Sequence, residues 1–111
     1  MAKARFISIV TTECQPEEEA QVNKWYNEVH IPMLLKCKGL KKAARYKVVG
    51  ENKDNPNYVA IYEYDSKEAM AADGGSPEFK AAIAEMDQTW KGKSFHIKGL
   101  FSCEPIKAWE K

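Results

Sequence analysis

The order of strand-like and helix-like patterns constrains this chain more than any single residue. Residues 4–13 alternate, with Phe6, Ser8 and Val10 on one side of an extended segment and Ile7 and Ile9 on the other. Pro16 stands where a helix begins, and Glu17, Glu18 and Glu19 suit the positive end of its dipole. That helix is expected to end at Val29 or His30, because Pro32 disfavours helical geometry at Ile31. Pro32 then starts a short turn through Met33, Leu34 and Leu35, closed by Gly39. Residues 40–49 and 58–64 read as two more strands around the polar hairpin loop 50–57. Asp65-Ser66-Lys67-Glu68 has the form of a helix start, with Glu68 placed to reach back to the cap. After Gly74 and Gly75, Ser76 and Pro77 open a helix whose Phe79, Ile83, Met86 and Trp90 share one face. Gly92 closes it, and residues 94–103 form the last strand.

The resulting order, β-α-β-β-α-β, is the ferredoxin-like plan of class α+β: one antiparallel sheet with two helices on one face. At 111 residues the chain is a single domain spanning 1–111. Both faces of the sheet carry bulky apolar groups. Tyr58, Ala60, Tyr62 and Tyr64 oppose Val59 and Ile61, and Phe95, Ile97 and Phe101 are expected to oppose Leu100. Two helices cover only one face, so a second copy is expected on the other, as a homodimer packed sheet to sheet. Ile106 and Trp109 in the tail either reach across to that partner or fold back on their own subunit.

Charge and composition exclude several function classes. Seventeen basic and 16 acidic residues leave a net charge of +1, which gives no footprint for nucleic acid. No apolar run approaches a membrane span, and the basic residues 1–5 lead into an alternating strand rather than a signal-peptide core. Cys14, Cys37 and Cys103 are scattered, with no CxxC and only two histidines, so neither a disulfide framework nor a metal site is expected. Reduced thiols in a cytoplasm follow. Phosphate-binding glycine loops and a GxSxG nucleophile motif are absent.

The titratable group with the most constrained surroundings is His30. On a helical wheel Val22, Trp25, Tyr26 and Val29 fall within a sector of about 100°, with His30 at its edge beside Tyr26. Desolvation lowers the pKa of an imidazole there, while the negative end of a terminating helix raises it. One reading is a structural histidine bonded to a backbone carbonyl or a tyrosine hydroxyl. The other is a general acid or base facing a pocket lined by Trp25, Tyr26, Tyr46, Tyr62 and Phe95, whose hydroxyls hold an enolate oxygen. Arg45, on an edge strand with Lys41, Lys42 and Lys47, is either solvated edge charge or a contact for an acidic substrate. His96, out of phase with Phe95 and Ile97, is placed on the opposite face. Cys37 as a nucleophile ranks below the tyrosine–histidine group.

The run Trp25-Tyr26-Asn27-Glu28-Val29-His30-Ile31-Pro32-Met33-Leu34-Leu35, followed by Gly39-Leu40 and Arg45-Tyr46, resembles the EthD-like proteins of the dimeric α/β-barrel superfamily. Residues 58–64 and the helix start Ser76-Pro77-Glu78-Phe79 are also similar to that family. The resemblance implies a subunit dimerising through its sheet, with a pocket between sheet and helices. It maps the helix-end histidine onto His30 and offers no match for the second histidine some of those enzymes use. The chemistry implied is cofactor-independent isomerisation or cyclisation of an aromatic, polyketide-like or lactone substrate. In that scheme His30, Tyr46 and Tyr62 are catalytic, and Trp25, Tyr26, Phe95 and Arg45 contact the substrate. A non-enzymatic ligand-binding or accessory protein of a degradation pathway, and a cofactor-free monooxygenase, stand beside it. Haem ligation by His30 has no further support in the sequence.

Overall fold

The structure, a computed structural model, describes residues 4–50 and 57–111. Most of the expected hairpin loop, 51–56, lies outside the described residues. Four strands, β1 (Phe6–Glu13), β2 (Leu40–Lys47), β3 (Asn57–Tyr64) and β4 (His96–Cys103), form one sheet in the order β2-β3-β1-β4. Every neighbouring pair is antiparallel. A 3₁₀ turn (Pro16–Glu18), α1 (Glu19–Trp25) and α2 (Ile31–Leu34) link β1 to β2, and α3 (Lys67–Gly74) and α4 (Pro77–Trp90) link β3 to β4. This is the ferredoxin-like α+β arrangement expected from the sequence.

Local chemistry accounts for most boundaries. Ser66 and Ser76 cap α3 and α4, their hydroxyls accepting the N–H of Ala69 at 3.1 Å and of Phe79 at 3.2 Å. Glu68 falls at the second helical position of α3, one place short of a reciprocal cap with Ser66. Gly92, at φ +74°, takes the left-handed conformation just after α4. Gly39 is required for a different reason: a Cβ there would lie 2.8 Å from the Ala69 carbonyl oxygen. Its N–H donates to the buried Asp73 carboxylate at 2.9 Å, fastening the start of β2 to α3.

Two expectations are corrected. The first helix does not end at His30. Tyr26–His30 forms a π turn, Ile31 remains helical at φ −61° and ψ −47°, and its N–H bonds the Tyr26 carbonyl five residues back. The wider turn relieves the clash between the Pro32 ring and the carbonyl four positions earlier, so the chain continues through the proline. The second correction concerns β4. A bulge lets Thr11 face Gly99 and Thr12 face Ile97, leaving Lys98 unpaired. The phase flips there, so Ile97 and Leu100 share the helix-facing side, and Phe101, opposite Ile9, joins the far side.

The core lies between the sheet and the helices, around Val22, Trp25, Tyr26, Ala60, Tyr62, Ala82 and Trp90. The far side of the sheet presents Ile7, Ile9, Val59 and Ile61 with Tyr46, 56% exposed, and Phe101, 51% exposed. In the tail, Ile106 is 97% and Trp109 78% exposed, so neither packs on its own subunit. Among the described residues, no helix is long and apolar enough to cross a membrane.

Candidate functional site

Between the helix-facing side of the sheet and α2, α3 and α4 lies a cavity of about 330 Å³. Its volume is near the lower end for small-molecule sites, roughly 300–1,000 Å³. The lining is almost wholly apolar, from Val10, Leu34, Leu40, Phe79, Ile83 and Met86, with a few polar groups: His30, Tyr26, Tyr62, Tyr64, Ser8, Thr12 and Ser102.

The π turn positions His30. In a regular helix five positions advance about 500°, which would put Trp25 and His30 on different sides. The π turn brings residues five apart nearly into line. The His30 imidazole accordingly stacks on the Trp25 indole, with ring centres 4.8 Å apart at 24°, and meets the edge of Tyr26 at 5.0 Å. His30 is only 4% exposed, within the buried stripe rather than at its edge. Desolvation outweighs the nearby Glu85 charge and lowers its pKa to about 4, Arg45 adding to the depression. The imidazole is therefore neutral at pH 7. Its Nδ1 is buried with no hydrogen-bond partner among the described residues. His30 is among the residues that line the cavity.

Tyr62, on β3, reaches the same wall. Its hydroxyl lies 2.8 Å from that of Tyr26. Burial raises both phenols above their ordinary range, so both are protonated hydrogen-bonding groups rather than phenolates. Phe95 also lines the cavity and touches Trp25 edge-on at 5.5 Å. Trp25 stands one layer behind, shaping the site through His30 and not through the cavity wall.

Besides Trp25, two other expected members lie outside the cavity lining. Tyr46 pairs with Val59 in the register of β2 and β3, so strand alternation turns it to the far side of the sheet, away from His30. Arg45, one residue earlier, faces the helices but lies outside the cavity lining. Its guanidinium sits 4.2 Å from the Tyr26 ring centre and donates to Asn27 Oδ1 at 2.7 Å and Asn23 Oδ1 at 3.0 Å. It is neither free edge charge nor a cavity contact: it packs against the back of Tyr26.

Three groups escaped the sequence reading. Tyr64 lines the cavity, two residues beyond Tyr62 in the same phase, with burial pushing its phenol up to about 12. Ser8 and Thr12, buried polar residues in phase with Val10, carried the same period-two signal. Glu85, half-buried on α4, accepts a hydrogen bond from Trp25 Nε1 at 2.9 Å, and nothing in the local pattern foretold it. Cys37 lines the cavity, but burial raises its thiol pKa, so it is not a ready thiolate. His96 is exposed, 3.2 Å from Glu13 on the far side, as expected. No cluster of three metal-ligating side chains occurs among the described residues.

Solved structures share this fold. An ethyl tert-butyl ether D (EthD) family protein from Bacillus halodurans C-125 matches with a TM-score of 0.67 at 21% identity, over 91% of this chain and 99% of that one. A dimeric ferredoxin-like protein from an uncultured marine organism gives 0.68 at 19%, over 96% and 99%. A monooxygenase from the gene ActVA-Orf6 of Streptomyces coelicolor, in complex with the ligand Nanaomycin D, gives 0.66 at 14%, over 97% and 93%. At such identities the likeness establishes the fold, and it agrees with the EthD-like character read from residues 25–46. No curated protein matches the sequence. Residues 5–99 match the family model described as a domain of unknown function, DUF4286, and the chain belongs to that family.

Proposed function

We propose that this protein binds one small, largely apolar oxygenated molecule in the cavity and acts on it through His30. The observation that supports this most is His30 itself: a neutral imidazole, almost fully buried, lining a cavity and with no hydrogen-bond partner for Nδ1 among the described residues. Leaving a buried polar atom unpaired costs about 1–3 kcal/mol, a cost that a core chosen for stability alone tends to avoid.

The chemistry that suits this arrangement is cofactor-free proton transfer. His30 Nε2 takes a proton from a carbon beside a carbonyl, and the C–H electron pair becomes an enolate. The Tyr26–Tyr62 pair has one hydroxyl proton left over to donate to the enolate oxygen. Return of the proton at another carbon completes an isomerisation. Attack of the enolate carbon on a second carbonyl of the same molecule, followed by protonation of the new alkoxide, completes a cyclisation. A pKa near 4 makes the imidazole a weak base that returns its proton readily, so abstraction calls for a substrate C–H already acidified by its carbonyl and by the tyrosine donor.

NMR titration of His30 with and without a panel of phenols and lactones tests the reading. Saturable movement of the His30 ring signals with one chemical class is expected. Indifference to every compound would mark His30 as structural and end the proposal. The name of the Streptomyces relative favours a second reading, oxygenation of an electron-rich phenol, which requires oxygen uptake in step with product. Saturable binding without turnover would identify a non-enzymatic binding or accessory protein. The proposal includes a homodimer through the far side of the sheet, where Phe101 and Tyr46 are uncovered, and a reducing, cytoplasmic setting for three free cysteines.

A further inference from the structure

A histidine that does chemistry is ordinarily oriented by a hydrogen bond at its second ring nitrogen, commonly from a carboxylate or a backbone carbonyl. Among the described residues His30 Nδ1 has no such bond. Its ring is held by stacking on Trp25, and Trp25 is itself held by a carboxylate: the indole Nε1–H donates to Glu85 Oε1 at 2.9 Å. The other Glu85 oxygen accepts the Thr89 hydroxyl one turn later at 2.5 Å, fixing the carboxylate on α4. An indole has one polar hydrogen, and a bond from it to an ionised acceptor is about twice as strong as a neutral one. The carboxylate that usually touches the imidazole therefore stands one aromatic ring away.

We propose that Glu85 is a positioning residue for His30, acting through the Trp25 indole. This rests on the functional reading of His30 above and extends it to a residue outside the cavity lining. The arrangement holds the imidazole plane without giving Nδ1 a partner, so the ring is oriented while remaining neutral. The charged groups acting on His30 are Glu85 from α4 and Arg45 from β2, on opposite sides of the balance.

The test uses the ring-current shifts of the His30 ring protons and the Trp25 Nε1–H signal in the full chain, with no ligand. Glu85→Gln keeps an acceptor and removes the charge. It is expected to retain both signals near their wild-type positions while the His30 pKa falls further. Glu85→Leu is expected to lose the hydrogen-bonded indole signal and relax the ring-current shift of His30. Should Glu85→Leu fail to fold, Trp25→Phe serves instead, since phenylalanine can stack without a polar hydrogen. Adding Glu85→Ala, which removes the acceptor and should by itself relax the His30 ring shifts, should then leave them where Trp25→Phe alone puts them. Unchanged His30 shifts in folded Glu85→Leu or Glu85→Ala, or a further shift from Glu85→Ala in the Trp25→Phe background, would overturn the inference. Because the readout needs no bound molecule, positioning can hold while ligand binding fails, and the reverse.

Discussion

The hydroxyls of Tyr26 and Tyr62 stand 2.8 Å apart in the cavity wall, one from the helical segment and one from the central strand β3. One O–H proton lies between them, and the other is not used in that bond. The pair thus joins the two layers of the fold. Arg45 against the face of Tyr26 holds that ring from behind.

Removing one member strands the other. Tyr62→Phe is expected to cost about 1–3 kcal/mol, because the buried Tyr26 hydroxyl loses its partner. The double variant with Tyr26→Phe should cost less than the two single changes together. Urea denaturation of the three variants decides this, and strict additivity would show that the hydroxyls do not interact.

Acid should weaken the protein through His30. Its pKa is about 4 folded against 6.5 for the free group, so between these values the unfolded chain binds more protons. The contribution is full above 6.5, declines as pH falls, and is gone by about pH 4, on the order of 3 kcal/mol in all. His30→Leu removes this titration. The stability lost between about pH 7 and pH 4 should be smaller in the variant by that order, and equal losses would refute the assignment.

Alkali acts with the opposite sign of charge. Burial raises the phenols of Tyr26, Tyr62 and Tyr64 above their ordinary value of 10.0 in the fold. The folded state then keeps protons that the unfolded chain loses. Stability should hold up to about pH 10 and drop above it, with part of the tyrosinate absorbance appearing only as the chain unfolds. Complete ionisation of all tyrosines in the folded protein near pH 10 would contradict this.

The junction of β2 with α3 should be sensitive. Gly39→Ala drives a Cβ against the Ala69 carbonyl, and Asp73→Ala strands the Gly39 N–H. Each is expected to cost about 1–3 kcal/mol. The pair should be non-additive, since either change already disrupts the same junction. Chemical denaturation of the two single variants and the double variant checks the coupling.

The uncovered far side predicts association. Sedimentation should give about twice the 12.6 kDa chain mass. Phe101→Lys should shift the protein to monomer while keeping its circular dichroism. A wild-type monomer at high concentration would remove the second copy from the proposal.

Much of the fold could be read from local pattern. Alternation in residues 58–64, the serine caps at Ser66 and Ser76, and the apolar face Phe79, Ile83, Met86 and Trp90 each report interactions within a few residues. His30, Tyr26, Tyr62 and Phe95 were found in this way and do meet at one cavity. Trp25, Tyr46 and Arg45 were expected at the cavity and lie outside its lining, although alternation along β2 already separates Arg45 and Tyr46 onto opposite sides.

By itself the sequence determined the order of elements, the sheet with two apolar sides, and the aromatic helix segment carrying a histidine, because periodicity and capping are local. The tertiary structure decided what depends on register and long-range contact. The π turn around Pro32 sets Trp25 on His30, the bulge at Lys98 exchanges Leu100 and Phe101 between sides, and the bond from Glu85 to Trp25 spans the helical layer. A one-residue change of register alters which side chains meet, and no local pattern records where the packed chain makes that change.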